Sequence, residues 1–346
     1  MSAVSVNTEN PSRVGARWRN VGTDVSACST VEEVCKQSPC GFPVKLFPIQ
    51  TVEKLSIADS LSEHPAHVTD PDHRMPVRMD TLQSLGAVGA DYEPVQMWDA
   101  FGIIQPLVDD GKIVFDSAGA IYGGRRYFLV TRLGERVHIG PDEIEQCIII
   151  HGSHNGDYAV SANFLPVRHV SGVSLLDRTF NKMGAMHGTP PSSVSIKHTK
   201  NAQKRIALSQ EIIKKALHFF HEYCDQLERL AGNPFDDKQF GAFLEMLFPN
   251  PENTSVTDLT RVRKPVNPEN RGIITDIYSG TDHKMITGTE YGAFSAVCEF
   301  VDHHRGTRVQ DGKDPEEVKL NALWFGQGAG IKAKAMNLLM GESLLT

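Results

Sequence analysis

No stretch of this chain reaches the roughly 18 consecutive apolar residues needed to cross a bilayer. Its first segment, Met1 to Asn20, lacks the apolar middle of a secretory signal. Together these absences set the expectation of a cytoplasmic protein with no membrane partner. Cysteine is sparse as well. The six are Cys28, Cys35, Cys40, Cys147, Cys224 and Cys298, and the first three have neither a fourth Cys nor a nearby His to complete a zinc pattern. Reduced thiols in a reducing compartment are expected, with no metal and no cofactor. Positive charge is in deficit: 35 Lys and Arg stand against 42 Asp and Glu, a net −7. That balance excludes a global attraction to nucleic acid or anionic lipid. Catalytic signatures are missing too. Gly326-x-Gly328-x-Gly330 has neither the spacing of a dinucleotide fingerprint nor the Lys-Ser/Thr of a P-loop. Nothing resembles a nucleophile elbow.

What is present is enough for a core. Of 346 residues, 40% are hydrophobic and 22% charged, near the average for globular chains. The pattern predicts an α+β fold in which an antiparallel β-hairpin sheet packs on one long helix, with additional C-terminal helices. Residues 1–20 are expected to be disordered and 21–248 to form the α+β core. A short helix (Ser29 to Gln37), a strand (Pro43 to Ile49), an irregular loop over 55–76 and a helix from Trp98 to Asp109 come first. Two hairpins follow, at 112–132 around Tyr122-Gly123-Gly124 and at 146–164 around an Asn155-Gly156 turn. No helix separates these runs, so the sheet is expected to be antiparallel. From 201 to 231 the apolar residues Ile206, Ile213, Leu217, Phe220, Cys224 and Leu227 fall at helical spacing. Residues 249–272 read as a linker. The segment 273–346 reads as mainly helical, with helices at Glu290–His304 and Gly330–Leu339, either packed on the core or set apart from it.

Charge is unevenly placed. Residues 161–220 hold nine Lys or Arg (Arg168, Arg178, Lys182, Lys197, Lys200, Lys204, Arg205, Lys214, Lys215) against Asp177 and Glu211, a local +7. With −7 for the whole chain, the remainder carries −14. Local excess of this kind is what phosphate neutralisation requires. On the first hairpin, Arg125-Arg126-Tyr127-Phe128 adds guanidiniums and rings on alternate faces of a strand. Single-strand binders use that mixture, cations following the backbone and rings stacking on bases. The same residues also suit a solvated helix face and a core strand. His151-x-x-His154-x-x-Asp157, with His303 as a distant fourth, is the best metal-like constellation. Turn chemistry at Asn155, Gly156 and Asp157 explains it more simply.

Several segments resemble, in order, the phage/plasmid-like family known as domain of unknown function 932. They are Gly86-Ala87-Val88-Gly89 through Tyr92-Glu93-Pro94-Val95-Gln96, Ser117-Ala118-Gly119 through Gly123-Gly124-Arg125-Arg126, and Gly152-Ser153-His154-Asn155-Gly156. Pro166 to Val170, Ile196 to Thr199, Gly288 to His303 and Trp324-Phe325-Gly326-x-Gly328 continue the series. Ser171 to Leu175 departs from the Cys- and Asn-containing run usual there. More loosely, hairpins feeding a long helix with a basic loop between are similar to the Rad-type single-strand annealing superfamily, which includes the phage annealing proteins Redβ, RecT and Erf. This second resemblance implies a phage- or plasmid-encoded protein that binds single-stranded DNA and anneals strands in recombination, without ATP. It would work as a homo-oligomer, a ring or filament, alongside a phage exonuclease or host single-strand-binding protein. On that reading Arg125, Arg126, Arg168, Lys197, Lys200, Lys204 and Arg205 hold phosphates, Tyr122 and Tyr127 stack on bases, and no residue is catalytic. The rivals are a metal-dependent nucleic-acid enzyme built on His151, His154 and Asp157, and a protein-interaction or anti-host factor that does not bind nucleic acid.

Overall fold

Runs of β-branched and aromatic residues between Ile113 and Arg168 build the centre of the molecule. The computed structural model describes residues 16–50, 69–169, 171–175, 193–201, 204, 206, 220–249, 269–324 and 326–341. Along the chain come α1 (Trp18–Val21), β1 (Thr23–Asp24), α2 (Val31–Gln37), β2 (Val44–Gln50), β3 (Thr69–Arg78) and β4 (Val88–Gly89). Two short helices, α3 (Met97–Phe101) and α4 (Gln105–Asp109), lead into β5 (Ile113–Ile121), β6 (Arg126–Ile139), β7 (Asp142–Ser153), β8 (Val160–Arg168) and β9 (Ser193–Ile196). A helical stretch at 220–232, α5, precedes α6 (Asp237–Leu247), α7 (Glu269–Ser279) and α8 (Glu290–Glu299). A π-helical turn (Phe300–His304), α9 (Pro315–Trp324) and α10 (Gln327–Leu339) complete the described chain.

Among the described residues, six strands form one antiparallel sheet in the order β1-β5-β6-β7-β8-β9, and β2, β3 and β4 form a second. The fold is therefore α+β. Cys147, Ile148, Ile149 and Ile150 are all essentially inaccessible, so both faces of the large sheet are covered. Neighbours on a strand point to opposite faces, and two of them show what covers each. Tyr127 meets Phe101 edge-on at 5.9 Å, while Phe128 meets Trp324 at 5.2 Å. Burying each such side chain contributes about 1.5–3 kcal/mol.

Several expected boundaries move. Residues 16–20, expected in a disordered terminus, are docked on the core: Trp18 stacks on Trp324 at 6.2 Å, and Arg19 pairs with the buried Asp116 at 2.6 Å. Residues 69–76 belong to a strand rather than an irregular loop. The Asp70 carboxylate accepts from the backbone N–H groups of Asp72 and His73, folding Pro71 into a bulge beside β2. The helix expected at 98–109 breaks at the 3₁₀ turn Gly102–Ile104 before restarting at Gln105 with Pro106 in its first turn. Both hairpins are present, and β6 and β7 extend beyond the expected ends to a further turn at Gly140. Of the expected helix 201–231, Lys204, Ile206 and 220–231 are helical, and the rest lies outside the described residues or at its non-helical start. Residues 269–272, expected in the linker, open α7, where the Arg271 guanidinium anchors on the Phe248 carbonyl at 2.8 Å.

Candidate functional site

The pairing register decides which sequence candidates meet. Arg126 lies opposite Ser153, and Val160 lies opposite Ile196. The β5–β6 turn, the β7–β8 turn and the exit from β9 therefore share one end of the sheet. Three successive residues of the first turn, Tyr122, Gly123 and Gly124, have φ of 55°, 70° and 96°. A Cβ at Gly124 would come within 2.6 Å of the Phe42 ring, which requires glycine there. Tyr122, the non-glycine member, is held by its N–H to the Glu317 carboxylate at 3.0 Å.

Arg126 is the hub of this end. Its guanidinium lies 4.6 Å from the Tyr158 ring and 5.4 Å from Tyr122. It also donates to Asn321 and pairs with Asp157 at 2.8 Å. Partial burial works against the Asp157 carboxylate, but the bonds from Arg126 and Asn155 outweigh it and hold its pKa below the usual range. Lys313 adds a second cation 5.9 Å from the Tyr122 ring. Arg125 beside this hub, and Lys197, Lys200 and Lys204 after β9, are exposed, and none of them forms an ion pair among the described residues.

Two candidates belong elsewhere. Tyr127 is 1% exposed, wedged between Phe101 and His154, and burial raises its pKa well above the ordinary value. It is core, and cannot stack on a base. Arg168 is likewise buried, at the opposite end of the sheet. It bonds Asp142 at 2.7 and 3.1 Å and His283 at 2.9 Å, with the Tyr291 hydroxyl donating to the same Asp142 carboxylate. No phosphate can reach it. Arg205 lies outside the described residues, as do Arg178, Lys182, Lys214 and Lys215 from the basic segment.

The metal-like constellation disperses. His151 bonds Asn163 at 3.0 Å, and burial lowers its pKa to about 4. His154, three residues on, turns into the core between Tyr127 and Phe42. There burial, helped by nearby His198, lowers its pKa to about 3. Asp157 faces Arg126. His303 sits on the π-helical turn, and its pKa is lowered by burial. Among the described residues no group of three His, Cys, Asp or Glu is arranged to hold a metal ion. Gly328 is a packing position, since a Cβ there would come within 2.9 Å of the Ala322 carbonyl.

Residues that sequence reasoning passes over complete the site. The sequence marks Tyr158 only as the start of a strand, and gives Asn321 and Lys313 no local signal. Tyr92 stacks on His198 at 4.8 Å and donates to the Ser153 carbonyl at 3.2 Å, while His198 Nδ1 accepts the Val95 N–H. Segments around residues 92, 153 and 198 are thus bound together under the turns that carry the cations.

A family model described as Domain of unknown function (DUF932) matches residues 84–324, more than half of the chain. Neither the curated proteins nor the solved structures contain a match. No helix among the described residues is long and apolar enough to cross a membrane.

Proposed function

The chain belongs to the DUF932 family, whose description assigns no activity, and from that premise we propose that it binds single-stranded DNA at the turn end of its large sheet. As a homo-oligomer it would then pair complementary strands without ATP, in a phage or plasmid setting. One observation carries this reading: the exposed Arg125 adjoins the Arg126 guanidinium set between Tyr122 and Tyr158, and the exposed Lys197, Lys200 and Lys204 follow the exit of β9 at the same end of the sheet. Cations of this kind follow a phosphate backbone, and rings beside them accept bases of any sequence. The overall acidity of the chain gives a polyanion no general attraction, so binding must rest on local cations.

A salt titration of labelled single-stranded and duplex oligonucleotides, with light scattering for mass, tests the proposal. Four contacted phosphates predict a slope of log affinity against log salt near −3, from about −0.7 per phosphate. Single-strand-selective binding by a large assembly supports it and leads to a strand-pairing assay. Absence of binding at about 50 mM salt, where such contacts are strongest, refutes it.

A further inference from the structure

Beside the β5–β6 turn runs an open groove of about 670 Å³ whose wall includes Val31, Cys35, Pro39, Phe42, Arg78 and Trp98. Its volume is within the roughly 300–1,000 Å³ of sites that take small organic ligands. Its floor is apolar, and two flat groups line it. Trp98 is 38% exposed, unlike Trp18 at 3% and Trp324 at 8%. The Arg78 guanidinium lies 3.9 Å from the Phe42 ring and is fixed there by Asp80 at 2.8 and 2.7 Å. An exposed tryptophan together with a planar, anchored cation makes a slot suited to a flat aromatic heterocycle.

The groove is continuous with the cationic end of the sheet. Arg78 Nη1 donates to the Gly123 carbonyl at 3.0 Å, in the turn between Tyr122 and Arg125. Resting on the single-strand reading above, we infer that this groove receives unstacked nucleobases from the strand whose phosphates follow Arg125. Bases held in a duplex are already stacked and paired, so the slot selects single strands where phosphate contacts alone do not.

The chain itself supplies the probe. Of its three tryptophans only Trp98 is open to solvent, so quenching of tryptophan emission reports a base stacked in the groove. A thymidine oligonucleotide and an abasic strand of equal length are each titrated into the full chain, following label anisotropy and tryptophan emission together. The expected result is quenching with the same midpoint as the anisotropy rise, and at least about tenfold weaker binding of the abasic strand, which loses stacking at the sheet end as well as in the groove. Trp98→Phe should remove the quenching while the variant still binds. Trp98→Ala should weaken single-strand binding by about tenfold, again as for one base. Binding by anisotropy without quenching, with Trp98→Ala unaffected, overturns the groove assignment and leaves the sheet end standing. No anisotropy change with either strand overturns both.

Discussion

The two ends of the large sheet treat arginine in opposite ways. At one end Arg168 is sealed in by Asp142, His283, Tyr291 and the nearby Glu299 carboxylate. At the other, Arg125 is exposed and Arg126 lies between two tyrosine rings with one acid, Asp157. The two environments differ in what distant segments bring. Residues 282–299 deliver a carboxylate and an imidazole to Arg168 and a phenol to its partner Asp142, whereas α9 delivers the neutral Asn321 amide to Arg126. A cation is available to a ligand only where the fold has not already supplied its counter-charge, which holds for Arg125 but not for Arg126, already paired with Asp157. A count of Lys and Arg along the chain cannot make that distinction.

The sealed end is where this contrast is most directly broken. Arg168→Ala leaves Asp142 buried without its partner, which should cost about 3–5 kcal/mol of stability in urea denaturation. A loss below about 1 kcal/mol, typical of an exposed ion pair, would make the two ends equivalent. Acid is the next largest perturbation, and it acts on both ends. His151, His154 and His198 near the turns, and His283 beside Arg168, have pKa values lowered by burial to about 4, 3, 4 and 4. The folded chain therefore binds fewer protons than the unfolded chain between those values and the ordinary 6.5. Stability from these groups is complete above about pH 6.5 and should fall progressively toward pH 4. Urea midpoints measured at pH 7, 6 and 5 test this, and a flat profile would mean these imidazoles are solvated.

At the open end the expected effects fall on binding. Alanine at Arg125, Lys197 or Lys200 should change stability by no more than about 0.5 kcal/mol. Each should flatten the salt dependence of single-strand binding by about 0.7, and unchanged slopes would remove those residues from the site. The smallest effects separate the two tyrosines. Tyr158→Ala should weaken binding by about 1 kcal/mol, the lower end for a stacking ring. Tyr127→Phe should leave it unchanged, because that ring never reaches solvent.

The α+β class and both hairpins are legible in the sequence because their signals are local. Period-two apolar runs and Gly-Gly or Asn-Gly turns announce themselves within a dozen residues. Arg125, Lys197 and Lys200 are legible as exposed cations for the same reason. Tyr127 is misread from sequence because alternation along one strand gives two faces without saying that both are covered. Telling it from Tyr158 requires knowing that Phe101 lies over the first and Arg126 over the second. The pairing of β3 through Pro71 and Pro76 is hidden because proline normally argues against a strand, and here a bulge accommodates Pro71.

The clamp formed by residues 17–19 has a consequence for synthesis. Arg17 bonds the Asp302 carbonyl and pairs with Glu316, and Trp18 rests on Trp324, so a segment already made waits for partners translated about 300 residues later. At about 5–20 residues per second, the roughly 300 residues between them take on the order of 15–60 s to translate. During that interval the Phe128 side of the sheet lacks its Trp324 cover, and a chaperone or a second nascent copy has time to reach it. Slowing elongation between the codons for Phe128 and Trp324 should therefore increase aggregation of this protein more than slowing it before Phe128.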